Sequence, residues 1–509
     1  MGAIKSLMKD TAIYGLSSIV GRFLNWCLVP LYTYVFPTAE YGIVSFLYAL
    51  TAVALVILNY GMETGYFRYA NSADRDPRTV YTTSLLSVCA TSLAFMVLLT
   101  LFIRPVSGAL GLSAHPEYVW MLGITVAVDA FTNIPFAYLR QTKRPVRFAA
   151  IKLMNVGVNI ALNIFFILLC PHIERYCPAA INWFYAPLGG ASFGIGWIFL
   201  ANILSTLCVL LALLPQLTGR RYVFDGALLR QMLRYSWPLL VLGIAGIMSQ
   251  NMGQLLMRYI FPDQPEAANA MTGIYSANMK IAIVMVMFTQ AFRYAYEPFI
   301  FSQAGLKKGG APTNGPQRKA YADAMKYFVL FGLLIFLGVM FYLPLLKRFI
   351  APAYWSGLAV VPVMMLAELC FGVFFNLSLW YKLTDRTRWG MYLSLLSFVL
   401  MAGFNIVLVK AIGIPRGYMG AAWAALISYF TVMVVSYLLG RRYYPIAYPL
   451  RTMAMYAALA AVLYFVGTVV VNTPWEAFNF VIRGFLLLLY IGLVMKREGI
   501  ALPARLKKH

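Results

Sequence analysis

Charge is scarce in this chain, and acid is scarcer than base. Only 11% of the 509 residues are charged, with 17 Asp and Glu against 41 Lys and Arg, while 61% are hydrophobic. Soluble globular chains carry about 25% charged residues, so a water-facing surface around an ordinary core is excluded. Histidine is nearly absent, with His115 and His172 between apolar runs and His509 at the end. No metal-ligand spacing, nucleophile motif or glycine-rich phosphate loop followed by Lys is present. No catalytic group, metal site or cofactor is therefore expected. Cysteines are few as well. Cys27, Cys89, Cys208 and Cys370 fall within apolar runs and read as small apolar residues. Cys170 and Cys177 flank a polar connection, where an oxidising compartment allows a disulfide and two free thiols are the equal alternative.

What the chain does have is long apolar runs along its whole length, with a mean hydropathy of +0.75. A membrane-spanning helix needs about 20 apolar residues. A transmembrane barrel would show alternating segments of about 10 residues, and runs such as Leu93–Ile103 and Phe328–Phe341 do not alternate. The expectation is an all-α integral membrane protein of about 14 spans. They lie near 11–35, 41–64, 80–103, 117–139, 148–170, 193–214, 236–260, 270–300, 321–343, 356–381, 389–410, 418–439, 452–471 and 477–495. The first run is too long for a signal-peptide core and lacks a small-residue cleavage site after it. A nucleic-acid partner is not expected, because the net charge of +24 belongs to the loops between spans.

Lys and Arg collect in cytoplasmic loops. With the N-terminus inside, the cytoplasmic segments hold 29 of them, the opposite side holds 7, and Arg22, Lys152, Lys280, Arg293 and Arg483 fall within spans. This asymmetry places both termini in the cytoplasm and requires an even number of spans. The longest cytoplasmic loop, about 302–320, is rich in Gly, Pro and Lys and reads as a flexible linker.

The two halves of the chain echo each other. Phe36-Pro37 recurs as Phe261-Pro262 and Phe-Arg-Tyr-Ala at 67–70 recurs at 292–295, both at an offset of 225. Thr142, Arg144 and Asn163 have counterparts Thr384, Arg386 and Asn405 at an offset of 242. Residues 1–219 (spans 1–6) and 220–445 (spans 7–12) form the repeated lobes, and 446–509 adds spans 13–14 and a tail. Six spans per unit is even, so the repeat is parallel, related by an axis along the membrane normal. Transporters built from internal repeats bind between their halves and rock them for alternating access.

An ionisable group at mid-bilayer costs from about 2.5 to over 10 kcal/mol, so it faces a cavity or a partner. Arg22 and Asn25 share a face of span 1, and Asn59 and Glu63 share one in span 2, which ends at Arg68. Span 5 carries Lys152, Asn155, Asn159 and Asn163 at steps of 3, 4 and 4. Span 7 aligns Gln250, Gln254 and Arg258, while span 8 holds Lys280 and then Gln290, Arg293 and Glu297. The Asn and Gln residues serve equally as interhelical glue. Glu63, Asp129, Glu297 and Glu368 read first as salt-bridge partners within the bundle, and Arg68 and Arg258 as residues that snorkel to the interface. Arg22, Lys280 and Arg293 lie deeper and favour a water-filled cationic cavity, whereas Arg483, near the C-terminus, reads as an interface or helix-pair residue. Arg forks bind phosphate through two N–H groups, and Asn, Gln, Tyr and Trp suit sugars.

These segments resemble a known family. Tyr14-Gly-Leu-Ser-Ser-Ile-Val-Gly-Arg-Phe, Val-Pro-Leu-Tyr-Thr at 29–33, Tyr41-Gly-Ile, and Gly61-Met-Glu with Phe67-Arg-Tyr are similar to bacterial polysaccharide-type flippases of lipid-linked oligosaccharides. Their superfamily also holds the multidrug-and-toxin (MATE) exporters and the lipid II flippase. The resemblance implies two six-helix lobes plus a helix pair, a bacterial cytoplasmic (inner) membrane location, and transfer of an undecaprenyl-diphosphate-linked oligosaccharide to the periplasmic leaflet. It implies that Arg22, Arg68 and Arg293 meet the diphosphate, with Arg258 and Lys280 beside them. Spans 13–14 would offer a groove for the lipid tail. Expected partners are the lipid-linked oligosaccharide, membrane lipid, a coupling H+ or Na+, and a glycan polymerase. The alternatives are a cation-coupled multidrug exporter, a lipid II flippase, and an integral-membrane glycosyltransferase or polymerase. The multidrug exporter favours cavity acids, yet span 1 offers Arg22 and neither Asp nor Glu.

Overall fold

The computed structural model describes residues 20–499 apart from 22, 73–74, 220, 304–314, 385, 387 and 472, and excludes the side chains of 180, 294–295, 297–303, 315–317 and 382. Among the described residues every regular element is helical. Thirteen helices are long and apolar enough to cross a membrane, and a shorter apolar helix, Phe23–Val35, precedes them. The chain is a multi-pass membrane protein. The expected number of spans is met if the short helix counts as the described part of the first.

The chain divides into two compact units, Met1–Ser276 with Gly413–Gly417, and Ala277–Ile412 with Tyr418–His509. The first contains α1 (Leu28–Val35), α2 (Thr38–Asn59), α3 (Met62–Ala70), α4 (Pro77–Leu101), α5 (Pro116–Gln141), α6 (Pro145–Ile164), α7 (Gly196–Leu217), α8 (Gly226–Ile260) and the start of α9 (Pro265–Gln303). The second contains the rest of α9, α10 (Gly315–Phe341), α11 (Val360–Leu377), α12 (Arg388–Ile412), α13 (Gly417–Tyr443), α14 (Leu450–Phe465) and α15 (Glu476–Glu498).

Proline opens α4, α5, α6 and α9, where its missing N–H is harmless because first-turn donors have no partner within the helix. The Asp76 carboxylate caps α4 by accepting from the N–H groups of Arg78 and Thr79, each at 3.2 Å. Those donors, Arg78 first, hold the exposed carboxyl below its ordinary range. Asp225 caps α8 in the same way, accepting from the Leu228 N–H at 3.0 Å. That cap explains why α8 starts at Gly226 and not near 236. Its first turns carry Arg230 and Arg234, and apolar runs do not register them. The run expected as one span at 41–64 is broken at Tyr60 and Gly61, whose φ values of 32° and 71° end α2 and let α3 start on a new axis.

The offset of 242 is a structural equivalence. Thr142 and Thr384 end their helices alike, each hydroxyl donating to the carbonyl four residues back, at 2.8 and 2.7 Å. Two residues on, the Arg144 and Arg386 N–H groups return to Leu139 and Tyr381 carbonyls, both at 2.9 Å. Asn163 and Asn405 each donate a side-chain N–H to the carbonyl one turn earlier, at 2.8 and 2.9 Å.

In the first unit α5 lies between α4 and α7, and α8 packs on α2 and α3. Met62, Tyr66, Tyr81, Val88, Ala130 and Met232 meet in a buried cluster. The first turns of α2 and α9 touch backbone to backbone. A Cβ on Gly42 would lie 1.8 Å from the Asn269 carbonyl oxygen, and one on Gly273 would lie 2.0 Å from that of Thr38.

In the second unit α10 carries α14 and α15 on one side and α11 on another. Three polar contacts fix α15 along its length. The Lys326 ammonium donates to Glu498 at 2.5 Å, and the Tyr490 hydroxyl donates to the Leu330 carbonyl at 3.3 Å. Arg483 is only 7% exposed and donates to three carbonyls, Gly467 at 2.8 Å, Val471 at 3.2 Å and Phe341 at 3.4 Å. It is thus a helix-joining cation, as its place near the C-terminus suggested. All six cysteines are free thiols in the structure, Cys170 buried and Cys177 exposed.

Candidate functional site

The intramembrane polar residues sort into those already engaged by the protein and those presented outward. The span 5 stripe divides along its length. Asn159 donates to Asn202 at 2.9 Å and to Ser205 at 3.3 Å, and it accepts from Asn163 at 3.2 Å. The Tyr32 hydroxyl donates to Asn163 at 2.9 Å, and Asn202 donates to Tyr48 at 2.7 Å. This chain of amides and phenols joins α1, α2, α6 and α7, and it is interhelical glue. Replacing Asn159 by Leu leaves the half-buried Asn202 side-chain oxygen without its donor. The expected loss is about 1–3 kcal/mol of stability, read as a lower melting temperature, with surface Asn25→Leu as the control.

One turn closer to the N-terminal end of α6, the polar groups are not saturated. The Asn155 amide oxygen is buried without a partner. The Lys152 ammonium rests 4.1 Å from the centroid of the Phe136 ring, with no carboxylate within 4 Å among the described residues. Asp129, on α5, accepts from the Thr206 hydroxyl at 3.3 Å. Glu63 pairs with Arg140, whose guanidinium also lies over the rings of Phe67 and Phe148. That pair agrees with the salt-bridge reading of Glu63. Its partner was missed because the sequence placed Arg140 in a loop, whereas α5 carries it in its last turn.

Arg258 is 9% exposed and does not reach for an interface. It donates to the Gly111 carbonyl at 2.5 Å and to Asn269 at 3.3 Å, with Phe46 beneath it. Gly111 has a φ of +64°, and a Cβ there would strike the guanidinium. Arg258 therefore braces α8 against the α9 start and the loop after α4. Gln254 donates to Ser276 at 3.1 Å, whereas Gln250 and Asn25 are exposed and Asn59 is half-buried.

Arg68 is exposed at the end of α3, with its guanidinium carbon 4.2 Å from the centroid of the Tyr235 ring on α8. In the second unit Arg293 is exposed on α9 and lies 4.3 Å from the centroid of Phe375 on α11. Lys280 and Gln290 are half-buried on the same helix. Arg22 and the Glu297 side chain lie outside the described residues. Glu368 makes no ion pair among the described residues, unlike the expectation for it, and stands two turns before Phe375 on α11. Asn376 is 1% exposed with both polar side-chain atoms unpartnered, and the Thr289 hydroxyl is likewise buried and unpaired.

The family profile described as polysaccharide biosynthesis protein matches residues 7–301, more than half of the chain. The chain belongs to that family. No curated protein matches it significantly in sequence. Solved structures show the fold. The lipid II flippase MurJ in an inward closed conformation superposes with a TM-score of 0.70 at 11% identity, over 96% of this chain and 99% of MurJ. An inward-facing multidrug resistance MATE family transporter of the MOP superfamily gives 0.63 at 14% identity, over 85% and 94%. Its outward-facing counterpart gives 0.57 at 15% identity, over 85% and 95%. The polysaccharide biosynthesis family member thus has the MOP-superfamily fold that the sequence suggested.

Proposed function

We propose that this protein flips an undecaprenyl-diphosphate-linked oligosaccharide from the cytoplasmic to the periplasmic leaflet of the bacterial inner membrane, both of its termini lying in the cytoplasm. The observation that carries this reading is the pair Arg68 and Arg293. They occupy the same place in the repeated Phe-Arg-Tyr-Ala segment, and both guanidinium groups are exposed. An Arg fork suits a phosphoryl group, which a diphosphate offers and a cationic drug does not. Arg22 and Lys280 belong to the same cationic set in this reading, whereas Arg258 is a brace.

The lobes are spans 1–6 and 7–12, with 13–14 attached, and the shared turns at 142–144 and 384–386 support that grouping. Glycans need amide groups, which the half-buried Asn59, Asn155 and Gln290 supply. Moving one negative charge outward across an inside-negative membrane gains about 2.3 kcal/mol per 100 mV, so the membrane potential alone favours export of the diphosphate. A coupling H+ or Na+ would act through Asp129 or Glu368, and a glycan polymerase would receive the product. Lipid II carries the same polyprenyl diphosphate, and the polysaccharide biosynthesis family match favours the oligosaccharide.

The test is Arg68→Ala and Arg293→Ala, each in a strain whose surface glycan depends on this protein. Surface glycan is expected to fall at least about tenfold for each, the scale of 1.4 kcal/mol, with the protein at its normal level in the membrane. Undiminished export in both variants would remove the basis of the reading.

A further inference from the structure

Within the first unit, the spanning helices α4 and α5 do not close on each other along their whole contact. Cys89, Leu93 and Met96 of α4 and Ile124, Val128 and Phe131 of α5 line a groove of about 220 Å³. Both rows step by four and then three residues, so each is a ridge along one helix face. The floor between the ridges is Ser92 and Ala127, 5% and 7% exposed, and these two small side chains give the groove its width. One turn beyond Met96 the helices draw together, because the Leu99 side chain occupies the place that a Cβ on Gly123 would take. Leu93 at the rim is 62% exposed, as are Val97, Leu98 and Leu101 further along α4 to like extents. An apolar face of this kind on a spanning helix meets hydrocarbon.

Ser92 sets this groove apart from an apolar seam. Elsewhere on α4 the hydroxyls of Thr82, Ser84, Thr91 and Thr100 donate to the carbonyl one turn back, at 3.1, 2.7, 3.2 and 2.8 Å. The Ser92 hydroxyl, on the groove floor, is buried without a partner, a costly state for a donor. Its depth limits what can serve it. Ser92 stands three residues past Cys89, the middle of the 25-residue helix, about 4.5 Å along the axis. Lipid headgroups and ester carbonyls stay near the ends of a span, so only chain reaches this level. A saturated acyl chain offers no acceptor. An isoprenoid chain offers a double bond in every five carbons, whose π electrons accept weakly from a hydroxyl, and its side methyl groups suit a wide, shallow floor. The volume also fits, since a cavity of about 150 Å³ holds a benzene ring and this one has room for about two isoprene units.

We propose that the groove between α4 and α5 is an isoprenoid site, which holds a stretch of the polyprenyl tail of the carried lipid with Ser92 donating to one of its double bonds. The inference rests on the function proposed above, which supplies the tail. It places a tail contact on the first unit, apart from the helix pair α14 and α15. The six rim residues and Ala127 hold the chain by apolar contact, and Ser92 distinguishes an isoprenoid from a saturated chain.

The experiment is photolabelling of the purified full-length protein in lipid nanodiscs with a diazirine-bearing farnesol, read by peptide mass spectrometry. Labels are expected within 89–96 and 124–131. Unlabelled farnesol is expected to compete about two- to fivefold better than hexahydrofarnesol, the scale of a weak hydrogen bond. Ser92→Ala keeps the groove and is expected to make the two competitors equal. Ala127→Phe fills the floor and is expected to cut labelling at least about tenfold, the scale of two buried CH₂ groups, and to lower surface glycan. Should Ala127→Phe fail to give monodisperse protein, Ser92→Leu fills the groove from the other side. Labels elsewhere only, labelling that survives the filled groove, or oleyl alcohol competing as well as farnesol would each overturn the isoprenoid site. So would full export by the Ala127→Phe protein. Farnesol carries no phosphate, so these outcomes do not depend on Arg68 or Arg293. The proposed function falls only with undiminished export in Arg68→Ala and Arg293→Ala.

Discussion

Gly42→Ala and Gly273→Ala are each expected to cost the protein about 3 kcal/mol or more, the upper end of overpacking effects. At either position the new methyl group would be driven against a carbonyl oxygen of the facing helix, 1.8 Å away for Gly42 and 2.0 Å for Gly273. No rotamer relieves such a clash, because Cβ has no freedom and the atom it strikes is main chain. The helices must move apart, and with them go the dispersion contacts that small residues permit between spans. Separation also pulls on Asn269, which holds Arg258 at 3.3 Å. Thermal unfolding in detergent, followed by size-exclusion chromatography, reads the effect. Gly246→Ala and Gly403→Ala are the controls, since nothing lies within 4 Å of either Cβ and Ala favours a helix over Gly by about 1 kcal/mol. Equal melting temperatures for Gly42→Ala and Gly246→Ala would show that α2 and α9 do not meet as described.

The second large effect is expected at the C-terminal end of α15. Glu498 accepts from Lys326 and from the Tyr456 hydroxyl, both at 2.5 Å, and the Lys326 and Glu498 side chains are 14% and 9% exposed. Glu498→Ala leaves an ammonium in a site with little water and removes the acceptor of a phenol. Breaking a buried pair from one side costs about 3–5 kcal/mol. Asp323, at 3.7 Å from Lys326, softens the loss without replacing the contact. Removing both charges, as Lys326→Met with Glu498→Leu, is expected to recover most of the stability, because a buried pair is often no better than apolar residues of like volume. The double-mutant cycle in melting temperature measures this directly. Additive losses would mean that the two residues act separately and that α15 is not fastened there.

The long apolar runs made the spans legible, because a bilayer imposes a length on every crossing and the chain must supply it in consecutive residues. The ends of the spans were less so. The start of α8 depends on the Asp225 cap and the split between α2 and α3 on two positive φ values, and neither feature alters hydropathy. The polar stripes could be seen by their spacing, but their roles could not. Asn159 and Lys152 lie on one helix, yet the first is saturated by Asn202 and Ser205 and the second rests against an aromatic face. Arg68 and Arg258 looked alike as cations at span ends. One is exposed against Tyr235 and the other is buried on Gly111 and Asn269, a difference fixed by groups far away in sequence. The rings beneath Arg68 and Arg293 left no signal at all, since Tyr235 and Phe375 sit among 34 tyrosines and 35 phenylalanines.

Arg483 bears on how the chain is made. The π-helical turn Val466–Val470 ends span 13, and its neighbourhood presents the Gly467, Val471 and Phe341 carbonyls to one guanidinium from the final span. Carbonyls in hydrocarbon need donors from the protein itself, and this donor is translated 142 residues after Phe341. Until it arrives, the end of span 13 and the end of α10 lack this partner, so the second unit is not fully fastened in the membrane before residue 483 has been inserted.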